Sequence, residues 1–156
     1  LYIFCLPGIL MRFLQLYKAY ADARPEGKTD ALVYTVVNCG FPEPHINEEA
    51  VRVVGRFADA VGGRFRFGVM IGGGGMYGYP APQVRKKLSE YRAAVGRIWA
   101  DLKSDGRDKA DNILIQSPAG RRLYYTMGNM GWKIQARKHN LKKADLYARP
   151  YQRADR

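Results

Sequence analysis

The sequence predicts an α/β fold: a three-layer open parallel sheet over residues 1–103, with helices on both faces, followed by a basic helical C-terminal extension over residues 104–156 that packs on it. Three observations predict this. Strand-like and helix-like periodicities alternate along the first hundred residues. The segment ALVYTVVN, residues 31–38, is aliphatic on both alternating sets of positions, as in a strand covered on both faces and so in a parallel sheet between helical layers. The charge then changes character. Residues 1–80 carry 8 Lys/Arg against 7 Asp/Glu and residues 81–156 carry 18 against 7, so that +11 of the net +12 lies in the second half.

Residues 1–5 read as the end of a strand and Leu6-Pro7-Gly8 as a turn. Ile9, Phe13, Leu16 and Tyr20 then recur at helical spacing, which predicts a helix over residues 9–23. ARPEGKTD breaks that pattern before the strand at 31–38. Beyond it, Asn47 is placed to cap a helix running to Val61, with Glu48 and Glu49 in its electropositive first turn and Val51, Val54, Phe57, Ala58 and Val61 on its buried side. Gly62-Gly63 stops that helix, and RFRFGVMI forms the next strand, with Phe65, Phe67, Val69 and Ile71 at strand-like spacing. A further helix is expected over residues 83–103. In the extension, Ser117-Pro118 opens a helix to Lys138 that carries Leu123, Tyr124, Met127, Met130, Trp132 and Ile134. Leu141, Leu146, Tyr147 and Tyr151 are expected to anchor the tail on the body.

With 156 residues, 47% of them hydrophobic, the chain is long enough to bury one substantial core. Two cysteines 34 positions apart make neither a disulfide framework nor a zinc motif. The longest uncharged apolar stretch, LYIFCLPGILM, is 11 residues, too short to span a bilayer, and it lacks the basic leader and cleavage site of a signal peptide; the expected location is the cytoplasm. Opening on Leu-Tyr-Ile-Phe-Cys, without methionine or a polar lead-in, the sequence reads as starting inside a longer protein.

Within GVMIGGGGMYGYPAP, Gly73-x-Gly75-x-x-Gly78 fits the formula of a dinucleotide-binding turn, but Pro80 and Pro82 stand where the fingerprint helix should run. A strand-exit loop lining a site made with its neighbours is the better expectation. Three loops at strand carboxyl ends, residues 2–8, 38–47 and 72–80, each combine Gly or Pro with an aromatic residue, which offers backbone amides beside a planar surface. Cys39, Glu43 and His45 share one of these loops, yet they lack the third member of a thiol-catalytic set and a full metal-ligand set; Cys39 is expected to pack and His45 to sit exposed or at a ligand edge. His139, among Arg137, Lys138 and Lys142, reads as a solvated basic helix end. Aromatic residues interleave with cations in RRLYYTMGNMGWKIQARKHNLKK, but without finger spacing, an RNP-type strand or a recognition helix.

LYIFCLPGILMRFL resembles the segment after the third strand of flavodoxin-like NAD(P)H-dependent FMN reductases and quinone reductases, and VVNCGFPEPHINEEAVRVVGRFADAVG with the later MIGGGGM resembles the continuation of that family. The resemblance covers about residues 1–103, and RLYYTMGNMGWKIQARKHNLKKADLYARPY resembles a basic extension found in some members. It implies an FMN-binding flavodoxin-like fold with sheet order 2-1-3-4-5, usually dimeric, that takes hydride from NAD(P)H and passes electrons to a small-molecule acceptor. By this resemblance Tyr2, Ile3 and Phe4 correspond to the loop beside the isoalloxazine, and Asn38, Cys39, Gly40 and Phe41 to the second flavin-side loop. The family's phosphate loop follows its first strand, so the resemblance also implies an N-terminally truncated domain, either a fragment of a reductase or a shortened relative. With central neighbours missing, exposed apolar area near residues 31–38 and self-association into a homo-oligomer are expected. The alternative is a non-catalytic basic module contacting nucleic acid or anionic surfaces. The extension's cations are expected to give only weak, salt-sensitive attraction, with no specific nucleic acid bound.

Overall fold

The computed structural model describes residues 5–24, 29–78 and 82–148, apart from the side chain of Lys143. The chain forms two compact units, residues 1–119 and 120–156. The first contains α1 (Gly8–Asp22), β1 (Leu32–Asn38), α2 (Glu48–Val61), β2 (Arg64–Ile71), α3 (Pro82–Lys103) and β3 (Ile113–Ile115). Its strands form one parallel sheet in the order β1-β2-β3. The alternating pattern thus produces the open parallel α/β sheet it predicts. Residues 1–4, expected to end a strand, lie outside the described residues.

Both sheet faces are covered because β2 is apolar at nearly every inner position. Phe67, Val69 and Ile71 point to one face, where they pack with Ile115 and with Ala94, Tyr91 and Ile98 of α3. Met70 points to the other, where it packs with Val37, Leu6 and Ala50 and Val51 of α2. Gly68 lets α2 lie close on this side, since a Cβ there would stand 2.7 Å from both methyl carbons of Val51. Leu10 and Leu14 of α1 join the same cluster. Gly62 adopts φ +79 just beyond α2 and ends it, as the paired glycines predict.

One local expectation is met in position and changed in detail, and one strand is unexpected. Asn47 precedes α2, but its amide is not a helix cap: it is fully buried and donates to the Ile71 carbonyl at 3.3 Å. The three-residue strand β3 lies in the segment that the sequence reading gives to the extension. Its ILI run is short and flanked by polar residues, so its apolar periodicity is no stronger than that of a loop.

At the amino end of the sheet, the α3 carboxylate Asp101 accepts two hydrogen bonds from Arg66 of β2 and one from the Tyr34 hydroxyl of β1 at 2.7 Å. One side chain therefore fixes α3 to two strands.

In the second unit, α4 (Arg121–Lys138) begins three residues after Pro118. The Ser117 hydroxyl instead accepts a hydrogen bond from the Ala119 amide at 3.2 Å, making a turn before the helix. Only Ala136 of α4 is buried. Asn140, at φ +56, turns the chain so that Leu141 N–H reaches the Ala136 carbonyl at 2.8 Å, and a short 3-10 turn, Lys143–Tyr147, follows. No described helix is long and apolar enough to cross a membrane.

Candidate functional site

Parallel strands deliver their loops to one edge, and here the three carboxyl-end loops are tied to one another by backbone hydrogen bonds. Cys39 N–H donates to the Ile71 carbonyl at 3.0 Å, and Gly72 N–H to the Ile115 carbonyl at 2.9 Å, continuing the sheet one residue beyond each strand. Gly73 N–H then donates to the Phe41 carbonyl at 2.6 Å and Gly74 N–H to the Cys39 carbonyl at 2.7 Å. Ser117 N–H closes the set on the Pro42 carbonyl at 3.3 Å. The β1 loop, the glycine run and the residues after β3 are thus one hydrogen-bonded rim.

The glycines are there for this closure. A Cβ on Gly72 would stand 2.3 Å from the Pro42 carbonyl oxygen, and one on Gly74 would stand 3.1 Å from the Asn38 side chain. Gly73 has φ +69, and a Cβ there would stand 2.3 Å from the Ser117 hydroxyl. The chain after Gly73 makes a 3-10 turn, Gly74–Met76, rather than a phosphate-facing helix. Gly40, Gly75 and Gly78, by contrast, have open space where a side chain would be. The rim therefore has a packed base at Gly72, Gly73 and Gly74 and room for a side chain at Gly40, Gly75 and Gly78.

Of the predicted site residues, Asn38, Cys39, Gly40 and Phe41 all lie on this rim, whereas Tyr2, Ile3 and Phe4 lie outside the described residues. Asn38, Gly40 and Phe41 are exposed, and Phe41 presents about 41% of its surface. Cys39 is buried, with its sulfur 3.4 Å from the Phe41 carbonyl oxygen and 3.7 Å from those of Glu43 and Ile71. A thiol so enclosed is a packing residue that steadies the loop. His45 is exposed. Among the described residues, no group of three His, Cys, Asp or Glu side chains is placed to hold a metal ion.

Sequence reasoning missed Ser117, which enters the rim only because β3 joins the sheet. Its hydroxyl also meets the Met76 sulfur at 3.5 Å. The only cue in the sequence is ILIQSP, an apolar triplet before a Ser-Pro turn, too short for its periodicity to mark a strand. Tyr77, at the end of the glycine run, packs edge-on against Tyr91, and its buried hydroxyl has no hydrogen-bond partner among the described residues. Burial, reinforced by the nearby Tyr91 and Glu90, pushes that phenol up to about 12.

A partly exposed Phe41 and the unfilled space beside the Gly40 and Gly75 Cα atoms leave room on this rim for a planar group such as the ring of a flavin. The rim does not suit the phosphate of FMN. The helix that follows the β1 loop, α2, carries Glu48 and Glu49 in its first turn, and their charge opposes an anion there. Compared with protein-family models, with curated proteins and with solved structures, the chain matches none.

Proposed function

We propose that the chain belongs to a flavodoxin-like, FMN-dependent NAD(P)H oxidoreductase of the quinone or flavin reductase type, with the rim at residues 38–41 and 72–78 beside the flavin ring. The observation that carries this reading is the coupling of the Cys39 and Phe41 carbonyls to the Gly74 and Gly73 amides. It holds an exposed aromatic ring and open backbone in a fixed arrangement at the carboxyl edge of a parallel sheet, the edge where such folds bind their ligands.

The flavin, when bound, supplies the hydride and electron chemistry between NAD(P)H and a small-molecule acceptor. The chain's own task is to bind and orient. Phe41 would offer part of a flat apolar surface, and the unfilled space beside the Gly40 and Gly75 Cα atoms would let a ring approach the backbone there. No side chain of the rim acts as a nucleophile, and the phosphate requires an anchor outside these loops.

Titration of the purified chain with FMN, followed by quenching of flavin fluorescence, tests the reading. Saturable quenching that riboflavin reproduces supports ring recognition at this rim. A colourless protein that quenches neither flavin overturns it and leaves the non-catalytic basic module as the better account, for which the observation is the cation-rich second unit.

A further inference from the structure

The second unit carries ten Lys/Arg against two Asp/Glu, a net +8 in 37 residues, whereas the 119 residues before it carry only +4. Its helix is exposed along almost its whole length. Leu123, Met127, Met130 and Ile134 stand at positions i, i+4, i+7 and i+11 of α4, so they form one line along a single side. All four are exposed, at 45 to 56% of their surface.

That line is framed by cations. Lys133 is three residues on from Met130, and Arg137 and Lys138 are three and four residues on from Ile134, which puts a positive charge on each flank of the apolar line and at its end. Among the described residues of the tail, Leu141 and Leu146 form a hollow with Lys133, Ala136 and Arg137, beside the line rather than on it, and the opposite side of the helix carries the exposed Tyr125 and Trp132. Among the described residues of its unit, the Leu123–Ile134 line is left exposed.

An aliphatic line flanked by lysine and arginine narrows the partner. Nucleic acid satisfies the cations through its phosphates, but stacks on planar groups and gains little from Leu, Met and Ile. The head-group boundary of an anionic bilayer accepts both parts at once: the apolar side chains enter the acyl margin, and the long basic stems bury their methylenes while their charges reach lipid phosphates and carboxylates. At about 1.5 Å per residue, the 18 residues of α4 give a rod of roughly 27 Å, which lies in the interface plane. We propose that α4 docks the protein on anionic lipid surfaces through Leu123, Met127, Met130 and Ile134, with Lys133, Arg137 and Lys138 as its charge contacts. This surface is independent of the flavin rim and stands whether or not FMN binds.

Co-sedimentation of the full chain tests the proposal with vesicles of phosphatidylcholine alone and of phosphatidylcholine with about one third phosphatidylserine. Binding to the anionic vesicles is expected, at least about tenfold tighter than to the neutral ones. The charge-neutral pair Met127→Gln and Met130→Gln is expected to weaken it by about tenfold, because transfer of apolar surface is lost while every cation stays. Lys133→Gln, Arg137→Gln and Lys138→Gln are expected to weaken it by roughly fivefold per cation removed, an effect that shrinks as salt rises. Leu123→Gln with Ile134→Gln gives a second, independent apolar readout, and all these positions are exposed, so far-ultraviolet circular dichroism of the variants should match the parent. Vesicle binding that both apolar pairs leave unchanged would reduce the effect to adsorption by charge and overturn the proposal. So would tighter binding to a single-stranded RNA than to the anionic vesicles at the same salt.

Discussion

Arg66 holds Asp101 in a two-point grip: Nε donates to Oδ2 at 2.9 Å and Nη2 donates to Oδ1 at 3.0 Å, with the carboxylate about 1% exposed and the guanidinium 17%. The fork geometry matches guanidinium to carboxylate, and the Tyr34 hydroxyl fills a further acceptor site. The Arg66 hydrogen bonds are the main reason the Asp101 carboxyl is held down at about 2, against the opposing pull of burial and with help from Tyr34. Removing one partner leaves a buried charge, so Asp101→Ala is expected to cost about 3–5 kcal/mol in urea unfolding. Tyr34→Phe should cost only about 1 kcal/mol, the loss of one hydrogen bond. Equal losses from the two variants would contradict this hierarchy.

The same carboxylate sets a pH dependence. Its folded-state pKa is depressed, so its stabilisation is complete above the ordinary value of 3.8 and is lost as pH falls through about 2. Parent and Asp101→Asn should therefore converge in stability across that window, the parent giving up about 2 kcal/mol more. Chemical denaturation at stepped pH reads this directly. A gap that stays constant from neutral pH down to 2 would show that folding does not depress the Asp101 carboxyl.

Gly73 and Ser117 form a tight junction of the rim. Gly73→Ala places a Cβ 2.3 Å from the Ser117 hydroxyl, on a backbone at φ +69 that alanine rarely adopts, and should cost about 2 kcal/mol or more. Gly75→Ala, with open space around it, should be close to neutral. Because the nearest atoms in the way belong to the serine side chain, Ser117→Gly should relieve part of the Gly73→Ala loss, a non-additive result in a double-mutant cycle. Strict additivity would mean that backbone strain alone carries the cost.

The elements were legible where periodicity was long. The α2 stripe, the aliphatic β1 and the near-continuous apolar β2 each extend over seven or more residues, and each appears where its pattern places it, within about a residue. Short or tertiary features were not. β3 has three residues, and its identity comes from the Ile71 edge it completes rather than from its own pattern. Asn47 looked like a cap because Asn before Glu-Glu is good capping chemistry, but a buried carbonyl at the end of β2 needed a donor and took the amide instead. The glycine run was read as a loop rim from its prolines alone. What its glycines accommodate, Pro42, Ser117 and Asn38, comes from two other strand ends and could not be read from the run itself.

Cys39 and Cys5 should separate cleanly in thiol chemistry. Cys39 is buried and enclosed by carbonyls, whereas Cys5 is half-buried, so a disulfide reagent should titrate one thiol per chain under native conditions and the second only in denaturant. Fast native labelling of Cys39, located by peptide mass mapping, would show that the β1 loop opens readily and that the rim is not the fixed base described above.

Phe41 should matter to flavin binding and little to stability. Its ring is about 41% exposed, so Phe41→Ala is expected to leave the thermal midpoint within a few degrees of the parent. Loss of a stacking surface should weaken FMN binding by about tenfold, equivalent to roughly 1.4 kcal/mol. Unchanged flavin affinity with a lowered midpoint would reassign Phe41 to packing.

The first unit should self-associate through α1. Leu10 and Leu14 use one part of this helix's apolar arc, and the Tyr17 ring packs edge-on against Phe57 at 5.7 Å. The adjoining part, Ile9, Phe13, Leu16 and Tyr20, follows the same helical spacing yet faces outward, and Ile9 is 85% exposed. On β1, the strand expected to show apolar surface, Val36 is also 57% exposed. Four large exposed side chains in line form a continuous apolar stripe, and two copies of it can pack against each other about a two-fold axis. Light scattering should give a mass of at least two chains, and Phe13→Glu with Leu16→Glu should return it to one. Because both positions already face water, the double variant should keep its unfolding midpoint when measured at low concentration. A parent that is monomeric at its highest soluble concentration, or a variant that associates as the parent does, would show that this stripe is not the contact.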